Sequence, residues 1–343
     1  MSLALKEMKR NKGRFFIVGS IVFLISFLTF MISGLANGLS QDNAALIKNM
    51  PDGYFYMMEE AEGVQTLSRI PEDIVDETVN KYEQATVMSI QMGFLNDVED
   101  KQYGVAFVAT SDSTLFPEVK AGEVIVDQSL EENGLKIGDV LTNNQMDDEL
   151  VVKGFVESEK YSHAPVAFVS QRDYGHMYRI KTQQMIFIPG DKVEVNKQLE
   201  ALTSKDLLQG LASYKAEQLS LNMIVGFLIV ISGMLFAIFF YMMNVQKMGI
   251  YGILKAIGLK TIKLFQIIWV QMFVVTIIAL LISILLGQGF SLIAPSGMPF
   301  HLPFNTTIQL SIIFLIIGFI GATISGMQIK QIEPLQAIQK GDQ

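Results

Sequence analysis

The chain has 343 residues, half of them hydrophobic, and a formal net charge of −8. It has no cysteine, which excludes disulfide staples and any thiolate metal or redox site. No G-x-x-x-x-G-K-[ST], HExxH, GxSxG or CxxC motif occurs, so neither a P-loop ATPase nor another enzyme is expected of this chain.

Residues 2–14 predict a short amphipathic cytoplasmic helix. Ala4, Leu5 and Met8 share one face, while Lys6, Lys9 and Arg10 share another. Such a helix lies in the inner interface against anionic lipid, or serves simply as a basic flank that fixes topology. Phe15 to Gln41 contains no charged residue and predicts transmembrane helix 1 over 15–37. The apolar core is too long for a signal-peptide h-region and no A-x-A site follows, so a retained span is expected. Gly34 and Gly38 form a small-xxx-small pair at its end.

Residues 38–220 are polar and read as a domain of their own, inserted between helices 1 and 2. Helix is expected over Pro71–Tyr82 and Lys192–Thr203, and strand over Gly122–Asp127, Val140–Thr142, Glu149–Val156 and Pro165–Ser170. The mixture predicts an α+β domain. The uncharged window Gln218–Gln246 holds transmembrane helix 2 (221–244). The loop 245–263 is too polar to span. Ile250, Ile253, Leu254 and Ile257 recur in it at helical spacing, and Gly258 reads as a helix stop.

The 66 residues from Leu264 to Ile329 lack Asp, Glu, Lys and Arg. They predict transmembrane helices 3 (264–293) and 4 (306–328) around a turn at 294–305 that carries Pro295, Gly297, Pro299 and Pro303. Helix 4 repeats small residues at Gly318/Ala322, Gly321/Ser325 and Ala322/Gly326. Such spacing lets helix backbones approach closely, either within the chain or across a dimer interface. A four-helix bundle is thin, and the dimer is the expectation.

Charge orients these pieces. The N-terminal segment, the 245–263 loop and the tail 329–343 hold 11 of the 26 Lys and Arg residues against only Glu7, Glu333 and Asp342. Residues 42–217 hold 15 basic and 31 acidic residues. The positive-inside rule then puts both termini in the cytoplasm and the acidic domain outside a plasma membrane. An exported domain without disulfides is compatible with a Gram-positive cell. The spans carry almost no ionisable residue, which argues against ion coupling and for a passive mechanical partner of an energy-supplying protein.

Several stretches together carry a resemblance. They are Lys247-Met-Gly-Ile-Tyr-Gly-Ile-Leu-Lys-Ala-Ile-Gly-Leu-Lys-Thr261, Ile332-Glu-Pro-Leu-Gln-Ala-Ile338 and the Gly122–Val156 segment. With the order one span, large domain, three spans, they resemble MacB/FtsX-superfamily permeases of ABC transporters (the MacB-like, type VII fold). Ile32–Leu39, Ala212–Met223, Phe239–Tyr241 and Gly297–Phe300 resemble, more closely, the HrtB-type haem-efflux permeases. That motif usually carries Pro where this chain has Ser220.

The resemblance implies a homodimeric permease with two copies of a separate ABC ATPase, which holds the ATP and Mg, and haem as the exported cargo. No intrinsic cofactor and no nucleic-acid partner are expected; membrane lipid is. An antimicrobial-peptide or lipid exporter, or an FtsX-like regulator without transport, are the alternatives. Haem takes carboxylate, thioether, Tyr or His ligands. Met31, Glu217 and Met298 are therefore candidate contacts near the outer leaflet, with Glu217 and Met298 as candidate iron ligands. Tyr161, in a Tyr-Ser-His triplet with His163, is a further contact. Tyr251, Leu254, Lys255, Ala256, Ile257 and Gly258 are the expected ATPase-coupling residues, supplemented by Glu333.

Overall fold

The computed structural model describes residues 3–111, 113–294 and 298–327. The expectations for the tail, Glu333 included, and for Gly297 lie outside those residues. The chain divides into a helical unit (1–37, 220–295 and 300–343) and an α/β unit (38–219 and 296–299).

In chain order the described elements begin with helices α1 (Leu3–Arg10) and α2 (Lys12–Lys48). They continue with β1 (Gly53–Met58), α3 (Glu72–Lys81), β2 (Thr86–Asn96), β3 (Gln102–Thr110), β4 (Glu123–Asp127) and α4 (Ser129–Glu132). Next come β5 (Val140–Asn143), β6 (Met146–Val156), β7 (Lys160–Tyr161), β8 (Ala164–Val169), α5 (Gln171–Tyr178), β9 (Met185–Pro189), β10 (Leu199–Leu202) and α6 (Ser204–Gly210). The chain then runs through α7 (Ala212–Val245), α8 (Met248–Ala256), α9 (Thr261–Ile293) and α10 (Phe304–Gly326).

Four of these helices, α2, α7, α9 and α10, are long and apolar enough to cross a membrane. In the helical unit their buried faces share one core that includes Phe30, Phe236, Phe240, Ile268, Met272 and Phe314. Their outward faces leave Phe16, Phe227, Leu285 and Ile316 exposed, as lipid-facing surfaces require. Hydrogen bonds between helices hold the bundle: Ser26 Oγ to Ser283 Oγ at 2.7 Å, Trp269 Nε1 to Thr323 Oγ1 at 3.0 Å and Asn244 Nδ2 to Ser325 Oγ at 2.7 Å.

The small-residue stripe of α10 is taken up inside the chain. A Cβ on Gly321 would stand 3.0 Å from Ala237 N, and one on Gly318 would stand 3.0 Å from Met272 Sδ. The Phe300 ring fills the space beside Gly34. These glycines admit close intrachain contacts.

In the α/β unit, ten strands form one sheet in the order β10-β1-β9-β2-β3-β8-β4-β6-β5, with β7 on β8 and a further β2–β5 contact at Asn96 and Thr142. The β3–β8 and β4–β6 pairs are parallel and the rest antiparallel. Its cores bury Phe55, Met88, Phe107, Val124, Phe168 and Phe187.

Two sequence expectations are corrected. No helix spans Lys192–Thr203; its end is β10, whose Leu202 pairs with Phe55 of β1, and tertiary pairing overrides the helical spacing. The helix begins after it, at Ser204, where Thr203 and Asp206 form a capping box. Helix 1 also does not stop at Asn37. α2 continues to Lys48, with Ala44 out of helical geometry (φ −144°, ψ 15°). Ala44, Leu46 and Ile47 are fully buried in the α/β core, so burial sustains the helix where hydropathy no longer signals it. α7 likewise starts at Ala212, eight residues before Ser220.

Candidate functional site

Three elements of the α/β unit converge on one carboxylate. α2 supplies Asn43, α7 supplies Glu217, and the two-residue turn between β7 and β8 supplies His163. Ser162 and His163 both have positive φ, 51° and 65°. A tight hairpin turn of this kind normally recruits Asn or Gly there, because other residues pay for the left-handed conformation. The turn is held by α2. Ser162 N–H donates to Asn43 O at 2.8 Å and His163 N–H to Asp42 O at 3.2 Å. These carbonyls lie at the Ala44 break, where the helical ladder is interrupted. Lys160 Nζ adds an ion pair to Asp42 at 3.0 Å.

Glu217 Oε2 receives Asn43 Nδ2 at 3.0 Å and stands 3.2 Å from His163 Nε2. Asn43 is fully buried, and the Glu217 side chain is 17% exposed. Glu217 Oε1 and Asn43 Oδ1 are buried with no hydrogen-bond partner among the described residues. His163 is the exposed member. With the proton on Nε2 it donates to the carboxylate and leaves the Nδ1 lone pair free. With the proton on Nδ1 it accepts instead from Asn43, 3.1 Å away. A carboxylate beside an imidazole favours the first arrangement, which is how acidic neighbours prepare histidines as metal ligands. His163 also borders a hollow of about 300 Å³ with Met92, Phe94 and Pro165. Met92 and Phe94 are exposed there, so thioether, ring and imidazole share one surface.

Of the candidate residues, Glu217 lies at the centre of this cluster. Met31 is half-buried on α2 within the helical unit, and Met298 is 39% exposed just before α10. Tyr161 is corrected. It is 5% exposed and its hydroxyl donates to Gln65 Oε1 at 3.2 Å inside the α/β core. Burial pushes its phenol well above the usual range, so it stays neutral and is no surface ligand. Asn43 gave no sequence signal, because it lies in the polar stretch beyond the expected end of helix 1.

The loop after α7 folds as α8, closed by a glycine. Gly258 has φ +95°; Leu259 N–H donates to Leu254 O and Gly258 N–H to Lys255 O, the double bond of a Schellman stop. Ile250, Ile253 and Ile257 are exposed along one face. Ala256 and Gly258 are exposed too, and Leu254 and Lys255 are partly so. Tyr251 is corrected as a contact residue. It is 2% exposed and its hydroxyl donates to Asn244 Oδ1 at 3.4 Å. It anchors α8 from behind.

Residues 222–334 match the FtsX-like permease C-terminal family. Over 356 aligned residues the chain is 27% identical to the hemin transport system permease protein HrtB of Staphylococcus haemolyticus, covering 98% of this chain and 99% of that one. It is 28% identical over 355 residues to the protein of the same name from Staphylococcus epidermidis, covering 99% and 100%. Among solved structures it is similar to the periplasmic region of MacB from Actinobacillus actinomycetemcomitans, with TM-score 0.34 and 11% identity over 46% of this chain and 91% of that one. The chain thus carries four apolar helices of membrane-spanning length, and its residues 222–334 are similar to the C-terminal region of FtsX-like permeases.

Proposed function

We propose that this chain is the permease subunit of an ABC-type haem exporter, working as a homodimer with two copies of a separate ATPase. The observation that carries the reading is the Asn43–His163–Glu217 cluster. A half-buried carboxylate orients an exposed imidazole, and a thioether and an aromatic ring lie beside it. Haem is a flat apolar ring with an iron that takes such an imidazole. The full-length similarity to proteins named for hemin transport supports the same cargo. Glu217 then acts by fixing the His163 tautomer, while the thioether of Met92 supplies an apolar, polarizable contact beside it.

The basic ends of the chain face the cytoplasm in this reading, and the exposed isoleucines of α8 form the seat of the ATPase. ATP and Mg stay on that partner. Its motion reaches the α/β unit mechanically, because the spans contain almost nothing that titrates. Haem titration of the purified full chain tests the cargo. A Soret band is expected that His163→Ala shifts or weakens, with a smaller change in Glu217→Gln. A chain that takes up no haem, or spectra unchanged in both variants, overturns the assignment.

A further inference from the structure

A hollow in the helical unit lies where α1, α2 and α9 meet. Its volume is about 820 Å³. The walls are apolar and include Phe16, Phe23, Val275 and Ile278; Lys9 and Lys12 stand at one end. Both lysines are exposed, and neither has an ion-pair partner among the described residues.

The dimensions are informative. From Lys12 to Phe23 the groove follows α2 for eleven residues, or about 16 Å at ~1.5 Å per residue. That is close to the hydrocarbon depth of one leaflet, half of the ~30 Å core of a bilayer. An apolar slot one leaflet deep with two unpaired ammonium groups at its mouth matches an acyl chain under an anionic headgroup. α1 supports the placement. It buries Ala4 and exposes Lys6, Lys9 and Arg10, so it lies along a membrane surface with its basic side outward. Lysines at that level are attracted to anionic lipid.

We propose that this groove is a binding site for one anionic phospholipid. Its phosphate sits between Lys9 and Lys12 and one acyl chain lies along α2 and α9. The lipid closes the gap behind α1 and so holds that helix against α9. The site is independent of the cargo and of the His163 cluster.

Native mass spectrometry of the purified full chain tests this, after exchange into detergent carrying phosphatidylglycerol or phosphatidylcholine. The wild type should retain about one phosphatidylglycerol per chain and release phosphatidylcholine several-fold more readily. Lys9→Gln/Lys12→Gln should abolish that preference. Gly19→Leu should displace the lipid outright, because a Cβ at Gly19 meets only Val275 Cγ1 at an ordinary 3.6 Å and the added side chain enters the groove. Far-UV circular dichroism checks that both variants fold. Equal retention of the two lipids by the wild type overturns the proposal. So does phosphatidylglycerol retention that neither variant changes, or a Gly19→Leu chain that keeps its lipid but loses self-association, which would make the groove a seat for a second copy.

Discussion

At the scale of single residues, His163 occupies the position where glycine would be cheapest. Its φ of +65° costs an L-residue roughly 1–2 kcal/mol, and a strained position kept by a chemically capable side chain points to use. His163→Gly should therefore change unfolding free energy by no more than about 1 kcal/mol, because relief of strain offsets the lost contact. The same variant should lose most of the Soret change, and denaturation and haem titration on one preparation separate the two effects. Asn43 behaves in the opposite way. It is the fully buried donor to Glu217, so Asn43→Ala should destabilise the fold by about 1–3 kcal/mol, read in a denaturant melt. Glu159 gives a pH signature. Burial raises its carboxyl above the usual range, only partly countered by Asn49, and nearby Asp127 raises it further. A carboxyl whose folded pKa is raised loses stability as pH climbs from its unfolded value through the folded one. Glu159→Gln should raise the melting temperature at pH 8, and the gain should shrink towards pH 4, where the native carboxyl is already protonated.

Among the elements, α8 owes its form to its last residues. Gly258, at φ +95°, lets Leu259 and Gly258 close the helix on Leu254 and Lys255. The exposed face of Ile250, Ile253 and Ile257 is then held in one orientation. Ile253→Ser/Ile257→Ser should leave the permease folded but sharply lower its co-purification with the ATPase. Retained binding in that double variant would take the coupling role away from this face. Local periodicity made α8 legible in the sequence, and unbroken hydropathy did the same for α9 and α10. The ends of α2 and α7 were not legible, since hydropathy ends helix 1 near Asn37 and only the burial of Ala44, Leu46 and Ile47 in the α/β core explains its continuation. The Lys192–Thr203 stretch misled for the converse reason, because its Leu199–Leu202 end is stabilised by β1, more than 140 residues away. The candidate site was legible only through Glu217 and His163 as residue types. Their meeting depends on a turn docked to a helix break, a long-range fact with no local signal.

For the whole molecule, the question is how work done on one unit reaches the other. Near the bundle's basic end, Lys247 is 4% exposed and stands 2.7 Å from Glu7 Oε1, which also accepts from Gln271 Nε2 through Oε2 at 2.7 Å. The ammonium meets the carboxylate out of line for a hydrogen bond, so the contact is chiefly between charges. It links α1, the start of the α8 loop and α9 into one body, and a push on α8 is shared by the helices behind it. In the proposed mechanism the route runs through α2 and α7, because each contributes residues to both units, and α2 keeps helical geometry up to the Ala44 break. A helix transmits displacement along its axis only while its hydrogen-bond ladder is unbroken. Inserting Gly-Gly after Asn37 should break that ladder in α2 and leave the Asn43–His163–Glu217 cluster intact, because all three residues lie beyond the insertion within the α/β unit. Haem binding by the purified permease should then be unchanged. ATP-driven haem export in proteoliposomes with the partner ATPase should fall to background while ATP hydrolysis continues. Export at the wild-type rate would mean that force reaches the α/β unit by α7 alone, and the same insertion after Leu219 would then be the one that stops it.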